Sequence, residues 1–474
     1  MTFDQDTASF SQWLTLHRVE LSSKVLIADL RALYQGRGVV ALEDIAEDEV
    51  VFSIPRSAIL NVETSALSSL NGNRDVLAGL GQWEALILVL LYEQSLGAAS
   101  NWASYFGVLP TEFSSLMYWS DAELALLEPS LVGNRIGKDS SVEMYERLFP
   151  AVVEALGVAA QIGSTTIEDF HKIGSLIMAY SFDCQKPDFG EDEDDEDDED
   201  EYLKCMVPLA DTLNADTTLA NVNLMSTPEE LVMKSVKAIS KGEQIYNTYG
   251  DHPNAEILRR YGYVEWSGSK FDFAEIPLNS IKQVFVDEGA LTEKFWETML
   301  HTIADTELEE IDEEVVLEAY DCYNDGTVLP ELFLLLQVAT LANQIASSDK
   351  SILEQKSKDT RAYVNRILKK CCQLVESGKL TQSVEAVWAK LLTTRLANYP
   401  QVLVQAPAFV TPEDVTSKQA ISQCIHRSEI NSLNACGAPF SDFKFIEDEK
   451  MIKAITAKRE IESKETRKSK KQRR

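Results

Sequence analysis

Four tyrosines, Tyr246, Tyr249, Tyr261 and Tyr263, stand within 18 residues of one another. They follow an apolar stretch, Leu231 to Ile239, and the run Lys241-Gly242-Glu243-Gln244-Ile245-Tyr246-Asn247-Thr248-Tyr249-Gly250 closes on a Tyr-Gly turn. As packing, such a cluster is a set of core aromatics on a strand edge. As chemistry, phenol hydroxyls at the end of an apolar channel orient a nucleophile by hydrogen bonding while the rings keep water out. Upstream lies Val207-Pro208-Leu209-Ala210-Asp211-Thr212-Leu213-Asn214, apolar but for Asp211, Thr212 and Asn214. An Asn after an apolar strand is ordinarily a turn former. Near the N-terminus, Gln35-Gly36-Arg37-Gly38-Val39-Val40-Ala41 places two glycines where a backbone can approach a ligand closely. This is no dinucleotide fingerprint, because no third glycine and no helix follow, and it lacks the lysine of a phosphate-binding loop. The chain shows no convincing Ser/His/Asp set and no carboxylate pair. A reaction that gains mainly from positioning and desolvation needs no such base.

These residues need elements to hold them. Residues 1–24 read as a short helix with Phe10, Trp13 and Leu16 on one face. Val39 to Ala41 and Val50 to Ile54 read as strands joined by a polar turn, the second ended by Pro55. From about 57 to 175 the pattern is helical: Trp83, Leu86, Ile87, Leu90 and Leu91 keep helical spacing, Asp121 is placed to cap Ala122 to Leu127, and Ile173, Ile177 and Tyr180 mark another helix. Strand signals resume at Met206 and run to Ile245. Asn254 to Arg260 reads as a helix, with a strand expected from Tyr261 to Val264. Beyond 275 the pattern is helical, as in Leu332, Leu335, Leu336, Val338 and Leu341, and again in Val384, Val387, Trp388 and Leu391.

In this order, the Gly36-Arg37-Gly38 turn, the Asn214 segment and Tyr249 resemble the three parts of a SET-domain protein-lysine methyltransferase. The resemblance implies an α+β fold, a β-rich SET domain (25–265) interrupted by a helical insertion (about 57–175) and an acidic loop (186–202). An all-α domain over 275–450, similar to the substrate-binding domain of the Rubisco methyltransferases, follows. It implies S-adenosyl-L-methionine as cofactor and Tyr249 as the catalytic residue. Gly36, Arg37, Gly38, Trp83, Tyr180, Asn214, Ala215 and Tyr261 then contact the cofactor, and Phe182, Asp211, Asn221, Asn223 and Tyr263 serve the substrate lysine. Position 215 departs from the family, where the Asn is commonly followed by His; only the backbone of Ala215 is left to bond. A free lysine amine has a pKa near ~10.4, and a dry aromatic channel shifts it toward the neutral, nucleophilic form. Ala-Tyr-Ser-Phe, the acidic insert, Leu-Asn-Ala-Asp and Tyr-Asn-Thr-Tyr-Gly point within the family to a branch acting on the large ribosomal subunit. The resemblance thus implies monomethylation of one lysine of a 60S protein, by resemblance eL42. A histone or transcription-factor lysine, a histidine target, or a non-catalytic binding module stay open as alternatives.

Composition bounds these readings. The chain has 474 residues, enough for two or three domains, and 45% are hydrophobic. Its net charge of −32 argues against direct nucleic-acid binding and favours a basic protein partner. Seven cysteines and five histidines are dispersed without a CxxC pair, so no metal site is expected. No signal core and no membrane-length apolar run is present, which suits a soluble intracellular protein, and a monomer is expected. Residues 191–201 are Asp or Glu throughout; such a block repels itself, reads as a loop, and also suits a lure for a basic substrate. The basic tail, 458–474, reads as a solvated end or as a nuclear-import signal, which places the protein in the nucleus or, alternatively, the cytoplasm.

Overall fold

The computed structural model describes residues 2–70, 72–187, 202–306, 314–354, 357–405 and 415–456. The acidic block 191–201 and the basic tail 458–474 lie outside the described residues. The chain divides into two units. One holds the described residues within Met1–Leu127, Val132–Lys270 and Thr411–Ser422; the other holds those within Glu128–Leu131, Phe271–Val410 and Gln423–Arg474.

The first unit contains ten strands: β1 (Glu20–Leu21), β2 (Val25–Asp29), β3 (Arg37–Ala41), β4 (Val50–Pro55), β5 (Ser181–Gln185), β6 (Tyr202–Met206), β7 (Asn214–Ala215), β8 (Val222–Ser226), β9 (Glu230–Ser235) and β10 (Gln244–Asn247). They form two four-stranded sheets, ordered β1-β4-β9-β8 and β2-β3-β10-β7, and a β5-β6 hairpin. β9 alternates, with Leu231, Met233 and Ser235 buried, whereas Val51 to Ile54 of β4 are buried without alternation. That is the difference between a half-exposed and a doubly covered strand. The polar turn after β3 does not make a hairpin of β3 and β4, because the two strands belong to different sheets. The turn is tied instead by an Ile45–Ile239 bridge.

Helices fill the span between β4 and β5. The Gln82–Ser95 helix is buried on nearly every side, from Glu84 to Glu93, which explains why its apolar residues run together. The Ile167–Tyr180 helix opens on a Thr166/Asp169 capping box and stops where Ser181 turns extended to begin β5. Two expectations fail locally. Leu16 of the N-terminal helix is 78% exposed, and Leu14 joins Phe10 and Trp13 in the core instead. Ser120, not Asp121, caps its helix: the Ser120 hydroxyl accepts from the Glu123 N–H while the Glu123 carboxylate returns the bond. A third concerns Tyr261 to Val264, which form no strand. The Asn254–Tyr261 helix ends on Gly262 in the left-handed region (φ 79°), where a Cβ would come within 2.7 Å of backbone atoms of Ser114 and Ser115.

The second unit is mainly helical around a separate core. Its Pro330–Ser348 helix is buried almost throughout. Gln337 lies inside that core and exchanges two hydrogen bonds with Thr381, at 2.9 and 2.8 Å, so its amide is satisfied. Two short ladders accompany the helices, β11 (Phe273–Pro277) with β12 (Ala319–Tyr323), and β13 (Lys379–Thr381) with β14 (Lys444–Ile446). Among the described residues no helix is long and apolar enough to cross a membrane, and no group of three or more His, Cys, Asp or Glu is placed to hold a metal ion.

Candidate active site

The site is assembled by the second sheet. β10 runs antiparallel to β3, with Ile245 opposite Val39, and parallel to β7, with Tyr246 opposite Asn214 and Asn247 opposite Ala215. One strand thus draws the glycine turn and the Asn214 segment together. Gly36 takes φ 61°, a conformation that glycine adopts without strain. Gly38 has no room for a side chain: an added Cβ would lie 2.5 Å from Leu30 Cδ1, 2.8 Å from Asn214 Nδ2 and 3.2 Å from Gln244 Nε2. The Asn214 amide uses that clearance to donate to the Arg37 carbonyl at 3.2 Å.

Beyond β10 the chain turns at Gly250 and the tyrosines converge. The Tyr249 and Tyr261 rings lie 4.7 Å apart, and Tyr261 and Tyr263 6.4 Å apart. Tyr249 Oη donates to the Leu213 carbonyl at 2.7 Å, Tyr261 Oη to the Tyr249 carbonyl at 3.2 Å, and Tyr263 Oη to the Ala215 carbonyl at 3.4 Å. Burial raises all three hydroxyls above the ordinary tyrosine range. For Tyr249 the shift is large, and Tyr263, Tyr180, Tyr261 and Asp211 reinforce it in that order. The phenols stay neutral donors at any physiological pH. Tyr180, at the end of its helix, is pushed up to about 12 by burial and by the charge of Asp211.

Asp211 sits in the short 3-10 turn Ala210–Thr212, just before Leu213. It is buried and receives the Tyr105 hydroxyl at 2.5 Å. Burial pushes its carboxyl up to about 7, against hydrogen bonds from Tyr105, the Leu209 N–H and Thr212 that favour the charged form. The preceding Leu209 is fully buried with φ 79°, so the backbone leading into this turn is held in a costly conformation.

The structure places the remaining expected residues as follows. Tyr180 and Phe182 lie at the junction of the Ile167–Tyr180 helix with β5, where Phe182 faces Cys205 of β6 across the ladder. Trp83 opens the Gln82–Ser95 helix, and Lys204 Nζ stands 5.6 Å from its ring. Arg37 differs from the simplest expectation. Its guanidinium bonds Thr7 Oγ1, the Phe3 carbonyl and the Val108 carbonyl and stacks 3.9 Å from the Phe3 ring centroid. Only its backbone is left toward Asn214. The Asn221 side chain is likewise engaged with backbone, donating to the Gln244 carbonyl at 3.0 Å and accepting the Tyr246 N–H at 2.9 Å. Asn223 is exposed on β8, opposite Lys234.

Three residues escaped the sequence reading: Tyr105, Gln35 and Gln244. Gln35 Nε2 donates to Tyr246 Oη at 3.3 Å, yet its Oε1 is buried without a hydrogen-bond partner among the described residues, as is Gln244 Nε2. Buried polar atoms of this kind beside a glycine turn fit a polar ligand lying against that turn. Nothing in the spacing of Tyr105 signals its partner, 106 residues away.

The family model described as SET domain matches residues 36–250. The chain is 39% identical over 479 residues to ribosomal lysine N-methyltransferase 4 of Saccharomyces cerevisiae, covering 96% of this chain and 95% of the relative. It is 33% identical over 285 residues to the N-lysine methyltransferase SETD6 of Rattus norvegicus, covering 58% of each. Among solved structures, Rubisco LSMT bound to sinefungin and monomethyllysine is similar in fold, with TM-score 0.62 at 19% identity over 94% of this chain and 95% of that one. The SET domain of LSMT bound to lysine and AdoHcy has TM-score 0.61 at 19% identity, over 95% and 96%.

Proposed function

The chain belongs to the SET-domain family and is an S-adenosylmethionine-dependent protein-lysine N-methyltransferase, and on that premise we propose that it monomethylates a lysine of a basic 60S ribosomal protein, eL42 being the first candidate. The observation that carries the choice of substrate is the likeness along nearly the whole chain to a relative named for ribosomal lysines. The net charge of −32 supports it, since an acidic enzyme attracts a basic protein.

We assign the cofactor to the backbone of Gly36, Arg37 and Gly38, to Asn214 and Ala215, and to Tyr261, with Trp83 and Tyr180 alongside. The unpartnered Gln35 and Gln244 atoms beside the glycine turn fit such a ligand. When bound, S-adenosylmethionine supplies an electrophilic methyl on a sulfonium sulfur. Phe182 and Tyr263 wall the lysine channel and exclude water, which favours the neutral amine once the ammonium has lost its proton to solvent. Tyr249 and the Leu213 carbonyl orient the amine lone pair, and no strong base is needed. Asp211 supports the lysine end. Asn221 serves the lysine only through the backbone it ties at Gln244 and Tyr246, and the exposed Asn223 side chain only as part of β8.

Purified enzyme with labelled cofactor, offered separated ribosomal proteins and histones, tests this reading. Label on a large-subunit ribosomal protein, as a single methyl by mass spectrometry, is expected. Label on histones alone overturns it and supports the second reading, a histone or transcription-factor lysine, which the likeness to an N-lysine methyltransferase named for no ribosomal target allows. We further propose that the protein works as a monomer in the nucleus, imported by its basic tail. Light scattering, and the location of a tail-deleted fluorescent fusion, test those two points.

A further inference from the structure

The lysine end of the site hangs on a turn that is itself held from behind. Tyr105 belongs to the short Ala103–Phe106 helix and is fully buried. Its ring packs among Phe10 and Trp13 of the N-terminal helix, at 6.1 and 6.2 Å, and its hydroxyl meets Asp211 Oδ2 at 2.5 Å. The Leu209 N–H and Thr212 favour the charged form of the same carboxyl. The turn is entered through the strained Leu209 and closed by Asp211 N–H to the Val207 carbonyl at 3.2 Å and Thr212 N–H to the Leu209 carbonyl at 3.1 Å. The carbonyl that takes the Tyr249 hydroxyl and the amide that holds the Arg37 carbonyl belong to the next two residues, Leu213 and Asn214.

We infer that Tyr105 is a positioning residue for methyl transfer, acting through Asp211: the buried phenol holds the carboxylate, and with it the turn that presents Leu213 to Tyr249. This rests on the assignment of Tyr249 as the catalytic residue. An ionised carboxylate accepts from all its donors, whereas a protonated one loses acceptor capacity and loosens the turn. The titratable groups facing Asp211 are Tyr105 from its short helix, Tyr180 from the Ile167–Tyr180 helix and Tyr249 from the segment after β10; all three are neutral across the working range.

The consequence is a second ionisation in the rate. With a saturating protein substrate, log kcat rises with slope one where only the lysine titrates, and with slope two below about pH 7, where Asp211 must also ionise. Tyr105→Phe keeps the ring and removes one hydrogen bond that favours the carboxylate. It moves the break upward by about one pH unit and lowers kcat at pH 7 by about fivefold. The cofactor dissociation constant stays within about twofold. A purely structural role for Tyr105 lowers the melting temperature and leaves the break in place. Asp211→Asn, which cannot ionise, abolishes the steep segment. A folded Tyr105→Phe enzyme with an unmoved break overturns the inference. So does a steep segment that persists in Asp211→Asn, which decides the matter if Tyr105→Phe does not fold. Absence of the break in the wild-type enzyme overturns it whichever variants fold. Tyr249→Phe assayed alongside separates the two readings: if it is active, the assignment of Tyr249 is wrong, and if it is inert while the Tyr105→Phe break is unmoved, only the role of Tyr105 is lost.

Discussion

The Tyr249 hydroxyl donates to the Leu213 carbonyl at 2.7 Å, across 36 residues of chain. A phenol kept neutral by burial thus lies beside a backbone acceptor; under the proposed function the two oxygens accept the N–H bonds of an incoming amine and leave its lone pair free for the methyl. Removing the hydroxyl while keeping the ring isolates that contribution. Tyr249→Phe is expected to lower kcat by at least about 100-fold, the scale of losing one preorganised hydrogen-bonding group in an active site. Cofactor binding, followed by calorimetry, is expected to survive. Undiminished turnover contradicts the assignment.

Gly38 makes room for Asn214 rather than for itself. Gly38→Ala puts a Cβ 2.8 Å from Asn214 Nδ2 and against Leu30, so one of them must move. The expected outcome is a weakening of cofactor affinity by about tenfold or more, equal to roughly 1.4 kcal/mol. The circular dichroism spectrum should be unchanged. Titration with S-adenosylhomocysteine measures it, and wild-type affinity in the variant refutes the role given to this clearance.

The Arg37 side chain predicts a stability effect. It ties the N-terminal helix to the glycine turn through Thr7 and Phe3, and bonds Val108 as well. Arg37→Met keeps much of the apolar stem and loses these bonds, at a cost of about 1–3 kcal/mol. Denaturant unfolding reads the loss. Limited proteolysis is expected to cut first between residues 2 and 20, and an unchanged cleavage pattern argues against the clamp.

Glu429 predicts a pH dependence in the second unit. Its carboxylate is buried, accepting Ser130 Oγ at 2.5 Å and Tyr399 Oη at 2.6 Å, and burial still raises its pKa from 4.5 to about 7. The raised value means that the folded state holds the proton more tightly than the unfolded chain does. The stabilisation is complete below about pH 4.5 and is lost as pH rises through about 7. Glu429→Gln removes this titration. The stability of the variant relative to wild type should improve from pH 4.5 to 7.5 by on the order of 3 kcal/mol. A flat difference across that range refutes it.

The amino-acid sequence by itself determined most of the helices and several strands, but not the Ser120 cap or the strandless course of Tyr261 to Val264. Leu86, Ile87, Leu90 and Leu91 announced a helix because side chains three and four apart share a face, and Gly36-Arg37-Gly38 announced a tight turn because glycine permits what other residues resist. The order of the Gly36 turn, Asn214 and Tyr249 was enough to indicate the SET fold. Tertiary structure alone decided which groups those residues meet. The Asn214 amide reaches the Arg37 carbonyl across 177 residues, and Tyr105 reaches Asp211 across 106. The Arg37 guanidinium turns toward the N-terminal helix although its neighbours form the glycine turn. The reason is range. Propensity, capping and periodicity act over a few residues, so they are legible along the chain. The parallel pairing of β10 with β7 and the course of the Leu209–Leu213 turn depend on how distant segments share one core, and no local pattern encodes that.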